Sequence, residues 1–285
     1  MRTNPVLLIL LAVVTAVQVR AQSVVSDTER VAIRGVPDTW GVSLGTFAQA
    51  FDSRIRLDGK YGEAGTTIDL EQDLGLPSQQ NDFNLKAFYR LSDRSQLRFD
   101  FLAWNRSSTN VLEREIRWDD TVYEVGAQVD AQGGGQMYNL IYQYSFFNNG
   151  KVNFGLDGGL STFILDTKLT RHVSVGEGGT GGATQTELHT KILPVPVIGA
   201  HFDMTLVKRL FWRANAYIFD ASVAGYDVKL WEAWTSVDYF VTRNVGLGAG
   251  FAATNADINT TGTHGGNWYI RYSYSGLVAY AKFAF

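Results

Sequence analysis

Two residues of this 285-residue chain have the types and spacing of an acid–base pair. His201 and Asp203 are two apart in an alternating stretch, so both side chains lie on one face of a strand. A histidine held by a carboxylate can act as a general base. No second acidic pair and no serine beside a histidine stands out. The sequence therefore predicts no enzyme, and a hydrolase is the third and least favoured alternative.

The other histidines and one acidic run could suggest metal binding. Three histidines are scattered over separate polar segments: His172, His189 and His264. They do not show the regular spacing of zinc ligands. Asp69, Glu71 and Asp73 alternate before Gly75, as at the start of a calcium loop, but the downstream acidic ligand is missing. We predict a solvated acidic loop, no metal and no cofactor.

A larger set of ionisable side chains is predicted to face inward by strand alternation. They are Lys86, Arg90, Arg98, Asp100, Asp157, His201, Asp203, Arg213, Glu232, Asp238 and Lys282. A barrel of ten strands is only slightly wider than the eight-stranded barrels that side chains can fill. Because unpaired buried charges are costly, these residues predict a network of ion pairs. A narrow porin-like conduit, lined by the same residues, is the alternative.

The elements that position these residues read as strands of period two. Residues 96–104 have the sequence QLRFDFLAW, in which Leu97, Phe99 and Phe101 alternate with polar residues. The stretches 83–91 and 137–147 alternate in the same way. Counting such runs predicts ten antiparallel strands. They lie near 40–57, 81–91, 96–106, 135–147, 151–166, 189–206, 210–222, 227–240, 245–254 and 268–285.

Short turns and long polar segments separate these strands. The turns lie at 92–95, 148–150, 207–209 and 242–244, and the long segments at about 59–80, 106–135, 169–187 and 254–267. Short turns on one side and long loops on the other are typical of a transmembrane β-barrel with outward-facing loops. Counts of eight or twelve strands remain open, because residues 110–129 could hold an extra hairpin.

Two local features bear on the barrel wall. Pro194 and Pro196 both remove an N–H from the same side of one strand. We expect them above the bilayer, because backbone groups without hydrogen-bond partners are costly in lipid. The alternative is a weakened seam beside this strand.

Gly246, Gly248 and Gly250 share one face of a strand. This predicts room for a bulky neighbour such as Tyr280 or Trp234.

The N-terminus has the layout of a secretory signal peptide. Arg2 precedes an apolar run from Val6 to Val17, and small residues precede a cleavage site between Ala21 and Gln22. The run is shorter than the roughly 20 residues that a membrane helix needs. We predict a signal peptide over 1–21, an N-terminal periplasmic segment over 22–39 and the barrel over 40–285.

Aromatic residues are predicted to form belts at both bilayer interfaces. Trp40, Trp212, Phe283 and Phe285 lie at the turn-side ends of strands, and Trp104, Trp118, Trp231 and Trp268 lie toward the loop side. The alternating C-terminal stretch 277–285, ending in Phe285, resembles the last strand of Gram-negative outer-membrane β-barrels. Residues 65–76 also resemble a segment of uncharacterised small barrels of that class.

That resemblance implies a location and partners. It implies the outer membrane, contact with outer-membrane lipid and lipopolysaccharide, and a role for Phe283 and Phe285 as the signal read by the barrel-assembly machinery.

Composition and charge exclude other classes of protein. A net charge of −3 without a basic patch argues against binding of nucleic acid. A content of 45% hydrophobic residues excludes a disordered chain, and the absence of cysteine excludes a disulfide scaffold. We expect a side-chain-filled barrel acting in envelope structure or surface interaction; ligands and oligomeric state stay open.

Overall fold

The computed structural model describes residues 39–59, 63–118, 121–173, 183–223, 225–260 and 267–285. The predicted signal peptide and all of the predicted N-terminal segment except Thr39 lie outside these ranges. Among the described residues, no helix is long and apolar enough to cross a membrane.

The described residues form strands throughout. Their bounds are β1 Trp40–Leu57, β2 Ile68–Asp69, β3 Gln79–Ser92, β4 Ser95–Val111, β5 Ile116–Trp118, β6 Thr121–Tyr123, β7 Gln128–Asn148, β8 Val152–Val173, β9 Ala183–Val207, β10 Leu210–Val223, β11 Tyr226–Phe240, β12 Val245–Thr260 and β13 Trp268–Ala284.

The ten long strands form a closed antiparallel barrel. Each pairs with its neighbours in chain order, and β13 pairs with β1 from Gly41–Ala284 to Leu57–Trp268, which closes the sheet. The small strands β5 and β6 pair only with each other. The predicted fold and the count of ten are therefore confirmed, and the extra hairpin suspected in 110–129 exists without adding to the barrel.

Four of the five short connections lie at one end of the barrel, which we call the turn end; the short link between Val223 of β10 and Tyr226 of β11 lies at the other end. Four tight turns lie there, between β3 and β4, β7 and β8, β9 and β10, and β11 and β12. Trp40 also lies there, where its ring stacks on Phe285 with centroids 4.6 Å apart. The other end, the loop end, carries the longer connections, as expected of a transmembrane barrel.

Near the turn end the wall is apolar outside and polar inside. On β11, Val237 and Tyr239 point outward and are about half exposed, whereas Ser236 and Asp238 point inward and are buried. Such an outer band suits contact with lipid chains. Gly248 on β12 leaves the space that the Tyr280 ring occupies, as the sequence predicts.

Toward the loop end the same alternation continues with its polarity reversed. On β1, Asp52 and Arg54 point outward, whereas Ile55 and Leu57 are buried inside. β1 ends at Leu57 as predicted, but β4, β7, β8, β9 and β12 extend five to seven residues beyond their predicted loop-side ends. The predicted long polar segments are therefore wrong in length. The outward polar residues of these extensions were read as loop, although they alternate with buried apolar residues such as Val129 and Ile258.

The wall divides into two sheets at the loop end. The β3–β4 pairing ends at Phe83–Ala103, and the β9–β10 pairing ends at Ile198–Ile218, although three of these four strands continue for at least five residues more. Above these points, β4, β7, β8 and β9 form one sheet, and β10 to β13 with β1 form the other.

The prolines of β9 lie directly beyond the point where pairing with β10 stops. Pro196 and Pro194 still pair with β8, opposite Leu160 and Thr162. Since two alternate residues without N–H cannot donate to one neighbour, they suit a strand edge that faces an open seam. The weakened seam therefore occurs in the structure, and the expected position above the bilayer stays a prediction.

A cap closes the loop end of the barrel. We define the cap as residues 63–78, which include β2, and residues 112–118 and 121–127, which include β5 and β6. Ile68, Leu74 and Ile116 of the cap are 2% exposed or less. They join the inward apolar residues of both sheets in one core.

The tryptophans correct the predicted loop-side aromatic belt. Trp104, Trp118 and Trp268 are buried in the cap core, where the Trp118 and Trp268 rings meet edge to face at 5.9 Å. Of the four predicted residues, only Trp231 faces outward, with 48% exposure. Sequence position alone did not distinguish inward from outward faces for the other three.

Candidate functional site in the barrel lumen

The structure places the eleven ionisable residues predicted for the lumen on inward-facing strand positions. Six of them are buried: Asp100, Asp157, His201, Glu232, Asp238 and Lys282. The other five are partly buried and line lumen cavities: Lys86, Arg90, Arg98, Asp203 and Arg213. They gather in the turn-end half of the lumen, which we call the lower lumen.

Asp238 is the centre of the cluster nearest the turn end. Its carboxylate lies 2.7 Å from the ammonium of Lys282 and 2.9 Å from Nε of Arg213. The hydroxyl of Tyr280 donates to the same carboxylate. Because Asp238 is fully buried, these contacts supply the compensation that a buried charge requires.

A second cluster lies higher in the lower lumen. Arg98 pairs with Asp100 at 2.9 Å. The ammonium of Lys86 lies 4.0 Å from the ring centroid of Trp234, a cation–π contact. The carboxylate of Glu232 accepts hydrogen bonds from Asn139 at 3.0 Å and from Ser161 at 3.3 Å. Charges and polar groups thus fill the cross-section.

The third cluster corrects the predicted His201–Asp203 pair. Nδ1 of His201 hydrogen-bonds to Asp157 on β8, and Nε2 lies 3.2 Å from Oγ of Ser145 on β7. Asp203 instead accepts from Asn153 at 3.1 Å and lies 3.9 Å from Arg213. The sequence did not reveal Ser145, because its closeness to His201 depends on the register of three strands.

Three small cavities lie in a row between the turn end and the middle of the barrel. Their volumes are about 40, 60 and 50 Å³ in order from the turn end. The first two share Asp203, Arg213 and Lys282, and the second and third share Lys86 and Arg98. Each has room for one or two water molecules.

The cavities end against an apolar layer. The innermost one is bounded by Phe47, Leu102, Met137, Tyr274 and Val278. Above that layer lies the cap core. At the turn end, Phe211 and Phe240 are buried beside the first cavity, so the three cavities form a row within the lower lumen. A constriction of apolar side chains opposes the passage of water and ions.

One buried arginine fastens the cap inside the barrel. Arg106 of β4 is fully buried; its Nη1 lies 2.5 Å from Glu71 and donates to the carbonyl of Pro77 at 3.1 Å. Its Nη2 donates to Ser53 at 3.1 Å, and the guanidinium lies 4.1 Å from the centroid of the Phe51 ring. Arg106 thus joins the first loop to two walls of the barrel.

The acidic run of the first loop is structural, which corrects the predicted solvated loop. Asp73 accepts two hydrogen bonds from Arg114, at 2.8 and 2.5 Å. Desolvation acts to raise the pKa of Asp73, but the hydrogen bonds from Arg114 and from the amide of Asp69 outweigh it, so the pKa lies below its ordinary value. The carboxylates of Glu71 and Asp73 are therefore both engaged in contacts that hold the cap.

The described residues contain no group of three or more histidine, aspartate or glutamate side chains arranged to hold a metal ion. The side chains of His172, His189 and His264 lie outside the described set.

The comparisons with known proteins support the fold. The crystal structure of the outer membrane protease OmpT from Escherichia coli aligns with a TM-score of 0.57 at 10% identity, over 87% of this chain and 97% of that one. The translocator domain of the autotransporter NalP from Neisseria meningitidis aligns with a TM-score of 0.41 at 13% identity, over 85% and 88%. No protein-family model and no curated protein sequence matches the chain.

The class of protein follows from these observations. The chain has the fold of the Gram-negative outer-membrane β-barrels, with ten strands and a lumen occupied by its own side chains. At such low identity the alignment with the protease concerns the fold alone.

Proposed function

We propose that the protein is a sealed outer-membrane barrel that acts at the cell surface, in envelope structure or surface interaction, through its cap. The observation that carries this proposal is the position of the first loop. Ile68, Leu70 and Leu74 are 5% exposed or less and lie within the barrel mouth. Among the described residues, this apolar core lies across the mouth, where it opposes the passage of water and ions.

The outer band of the wall supports placement in the outer membrane. Outward apolar residues such as Leu140, Leu156 and Leu277 are more than half exposed near the turn end, which suits contact with lipid. Lipid and lipopolysaccharide are therefore proposed as partners. Phe283 and Phe285 lie on the outer face of the last strand and remain the proposed signal for the assembly machinery.

The build of the cap supports a role in surface interaction. Arg114 of the second loop binds Asp73 and the carbonyl of Thr67 in the first, and Arg117 binds Glu63 at 2.8 Å. Loops held by such contacts present a fixed surface, which lowers the ordering cost of binding a partner.

Conductance of the refolded protein in a planar bilayer tests the sealed lumen. A heat-modifiable shift on a gel first establishes that the barrel is folded, and a known porin reconstituted in the same way serves as the open control. We expect no current steps. Reproducible small steps would contradict the proposal.

The alternative function is a narrow passive channel. The row of cavities lined by Lys86, Arg98 and Arg213 favours it, because it covers half of the required path. Steps that depend on the charge of these residues in variants such as Arg98→Gln would establish the channel.

A further inference from the structure

Three buried residues of the lower lumen meet in the arrangement of a hydrolytic triad. One ring nitrogen of His201, Nε2, lies 3.2 Å from the hydroxyl of Ser145, and the other, Nδ1, bonds to the carboxylate of Asp157. In this arrangement the imidazole can take the serine proton while the carboxylate fixes the ring tautomer. We propose that Ser145 is a nucleophile activated by His201, with Asp157 as a positioning residue.

The strand register builds this arrangement across three neighbouring strands. Ser145 on β7 is opposite Gly155 on β8, and Gly155 is opposite His201 on β9. A side chain at 155 would clash with the imidazole, so the glycine lets the ring reach across one strand to Ser145. The β7–β8 register shifts between Ser145 and Phe147, and such bulges re-aim neighbouring side chains.

Asp157 accepts further hydrogen bonds besides its contact with His201. Its second oxygen accepts from Nε2 of Gln143 at 2.8 Å and from the hydroxyl of Tyr217 at 2.9 Å. The carboxylate is fully buried. A carboxylate fixed by two further donors keeps the imidazole in one orientation, which is the task of the acid in a triad.

The neighbouring cavity indicates the class of substrate. The cavity that His201 lines has a volume of about 60 Å³ and shares Asp203, Arg213 and Lys282 with the first cavity. Its ionisable wall residues besides His201 and Tyr280 are Lys86, Arg98, Arg213, Lys282 and Asp203, so cations outnumber carboxylates. The excess of cations favours a small acyl ester that carries an anionic group, and the cations would stabilise a developing oxyanion.

The chemistry uses only this triad, the ester and water. Oγ of Ser145 bonds to the acyl carbon while its proton moves to Nε2 of His201. The ester C–O bond then breaks, and the departing alcohol takes that proton. Water next attacks the acyl carbon and gives a proton to His201; the bond to Oγ breaks, and Ser145 recovers the proton.

Covalent labelling tests the nucleophile without knowledge of the natural substrate. The refolded barrel is treated with methanesulfonyl fluoride, the smallest sulfonyl fluoride, and the modified residue is located by peptide mass spectrometry. Attack by Ser145 on sulfur expels fluoride and leaves a sulfonate ester on Oγ. We expect one adduct, on Ser145. Ser161→Ala, which removes another buried lumen serine without a histidine partner, should leave labelling unchanged.

The dependence on His201 separates a triad from a structural hydrogen bond. His201→Gln keeps a donor for Asp157 but removes the base, and we expect labelling to slow by about 100-fold or more. The reference is the pH profile of labelling in the parent barrel, in which the imidazole of His201 is intact. The charged groups around it are Asp157, Asp203, Arg213, Arg98, Lys86 and Lys282. In Asp157→Asn this pH profile should change, because the tautomer is no longer fixed.

Each result bears on the proposal. Absence of an adduct on Ser145 at all pH values in a folded barrel overturns it, as does equal labelling in the parent and in His201→Gln. Retention of the heat-modifiable shift in each variant excludes misfolding. The labelling is independent of conductance, so this inference and the sealed lumen can fail separately.

Discussion

The lower lumen and the cap are held together by opposite means. In the lower lumen, clusters around Asp238, Glu232 and Asp157 join the strands through charges and hydrogen bonds. In the cap, Ile68, Leu74 and Trp118 lie in an apolar core that contains one fully buried arginine, Arg106. One barrel thus has a polar interior at one end and an apolar interior at the other.

With the proposed placement in the outer membrane, the difference follows from what surrounds the wall. Where lipid faces the strands, apolar residues occupy the outer positions and the polar ones turn inward. Where water faces them, as at Asp52 and Arg54 of β1, the apolar residues turn inward and build a core. Strand alternation is constant along the barrel, and only its polarity reverses.

The largest expected effect comes from removing Asp238. Asp238→Ala leaves Lys282 and Arg213 without their shared carboxylate in the lower lumen. We expect a loss of about 3–5 kcal/mol in the free energy of unfolding, measured by urea denaturation of the refolded barrel. Asp220→Ala, at an exposed pair with Lys229, is the matched control and should change stability by about 1 kcal/mol or less. Equal losses of stability in the two variants would show that burial does not make the contacts of Asp238 more important than those of an exposed ion pair.

A smaller and more local effect is expected in the cap. Glu71→Ala removes the carboxylate from Arg106, which retains the carbonyl of Pro77 and the hydroxyl of Ser53. We expect cap opening to become easier by about 2–3 kcal/mol, seen as faster proteolysis within residues 63–78 while the strands stay protected. Unchanged cleavage would show that Arg106 does not hold the first loop.

Acid should loosen the cap through Asp73. The pKa of Asp73 is lowered in the folded protein, so its contribution is present above the ordinary carboxyl value of about 3.9 and is lost as the pH falls through the folded value. Proteolysis of the cap should therefore accelerate in that range, and Asp73→Asn should remove this part of the pH dependence. The same acid response in both proteins would assign it to another group.

The smallest effect is expected at the outermost contact of the cap. Glu63 and Arg117 pair at 2.8 Å, but their side chains are 65% and 37% exposed. Glu63→Ala should change cap opening by less than about 1 kcal/mol, because water screens this pair. A loss as large as that in Glu71→Ala would mean that the burial of a contact does not predict how strongly it stabilises the closed cap.

The sequence predicts the barrel well where the outer face of the wall is apolar. Alternation in stretches such as 96–104 depends only on neighbouring residues, and ten strands and four turns follow from it. It fails where polarity reverses, so the loop-end extensions of β7 and β12 were assigned to loops. Trp104 and Trp268 were placed in a belt for the same reason, although they face inward.

The candidate site was predicted in composition but not in pairing. The alternation indicates that His201 and Asp157 face the lumen, yet their contact depends on the β8–β9 register. Ser145 lies on β7, with β8 between it and His201 on β9. The two side chains meet only because Gly155 of β8 has no side chain between them. Contacts set by register and by an absent side chain have no local signal in a single sequence.

The position of the first loop inside the mouth is the central claim, and one engineered disulfide tests it most directly. A Cβ at Gly75 would lie 3.6 Å from Cβ of Asn110 on β4, within the range of disulfides. The chain has no cysteine, so Gly75→Cys with Asn110→Cys allows a single pairing within the monomer. Gly75 has a φ of 68°, so cysteine there costs about 1 kcal/mol, which the closed barrel should tolerate. We predict nearly complete disulfide formation on mild oxidation of the folded barrel; two free thiols in a folded barrel would contradict the sealed mouth.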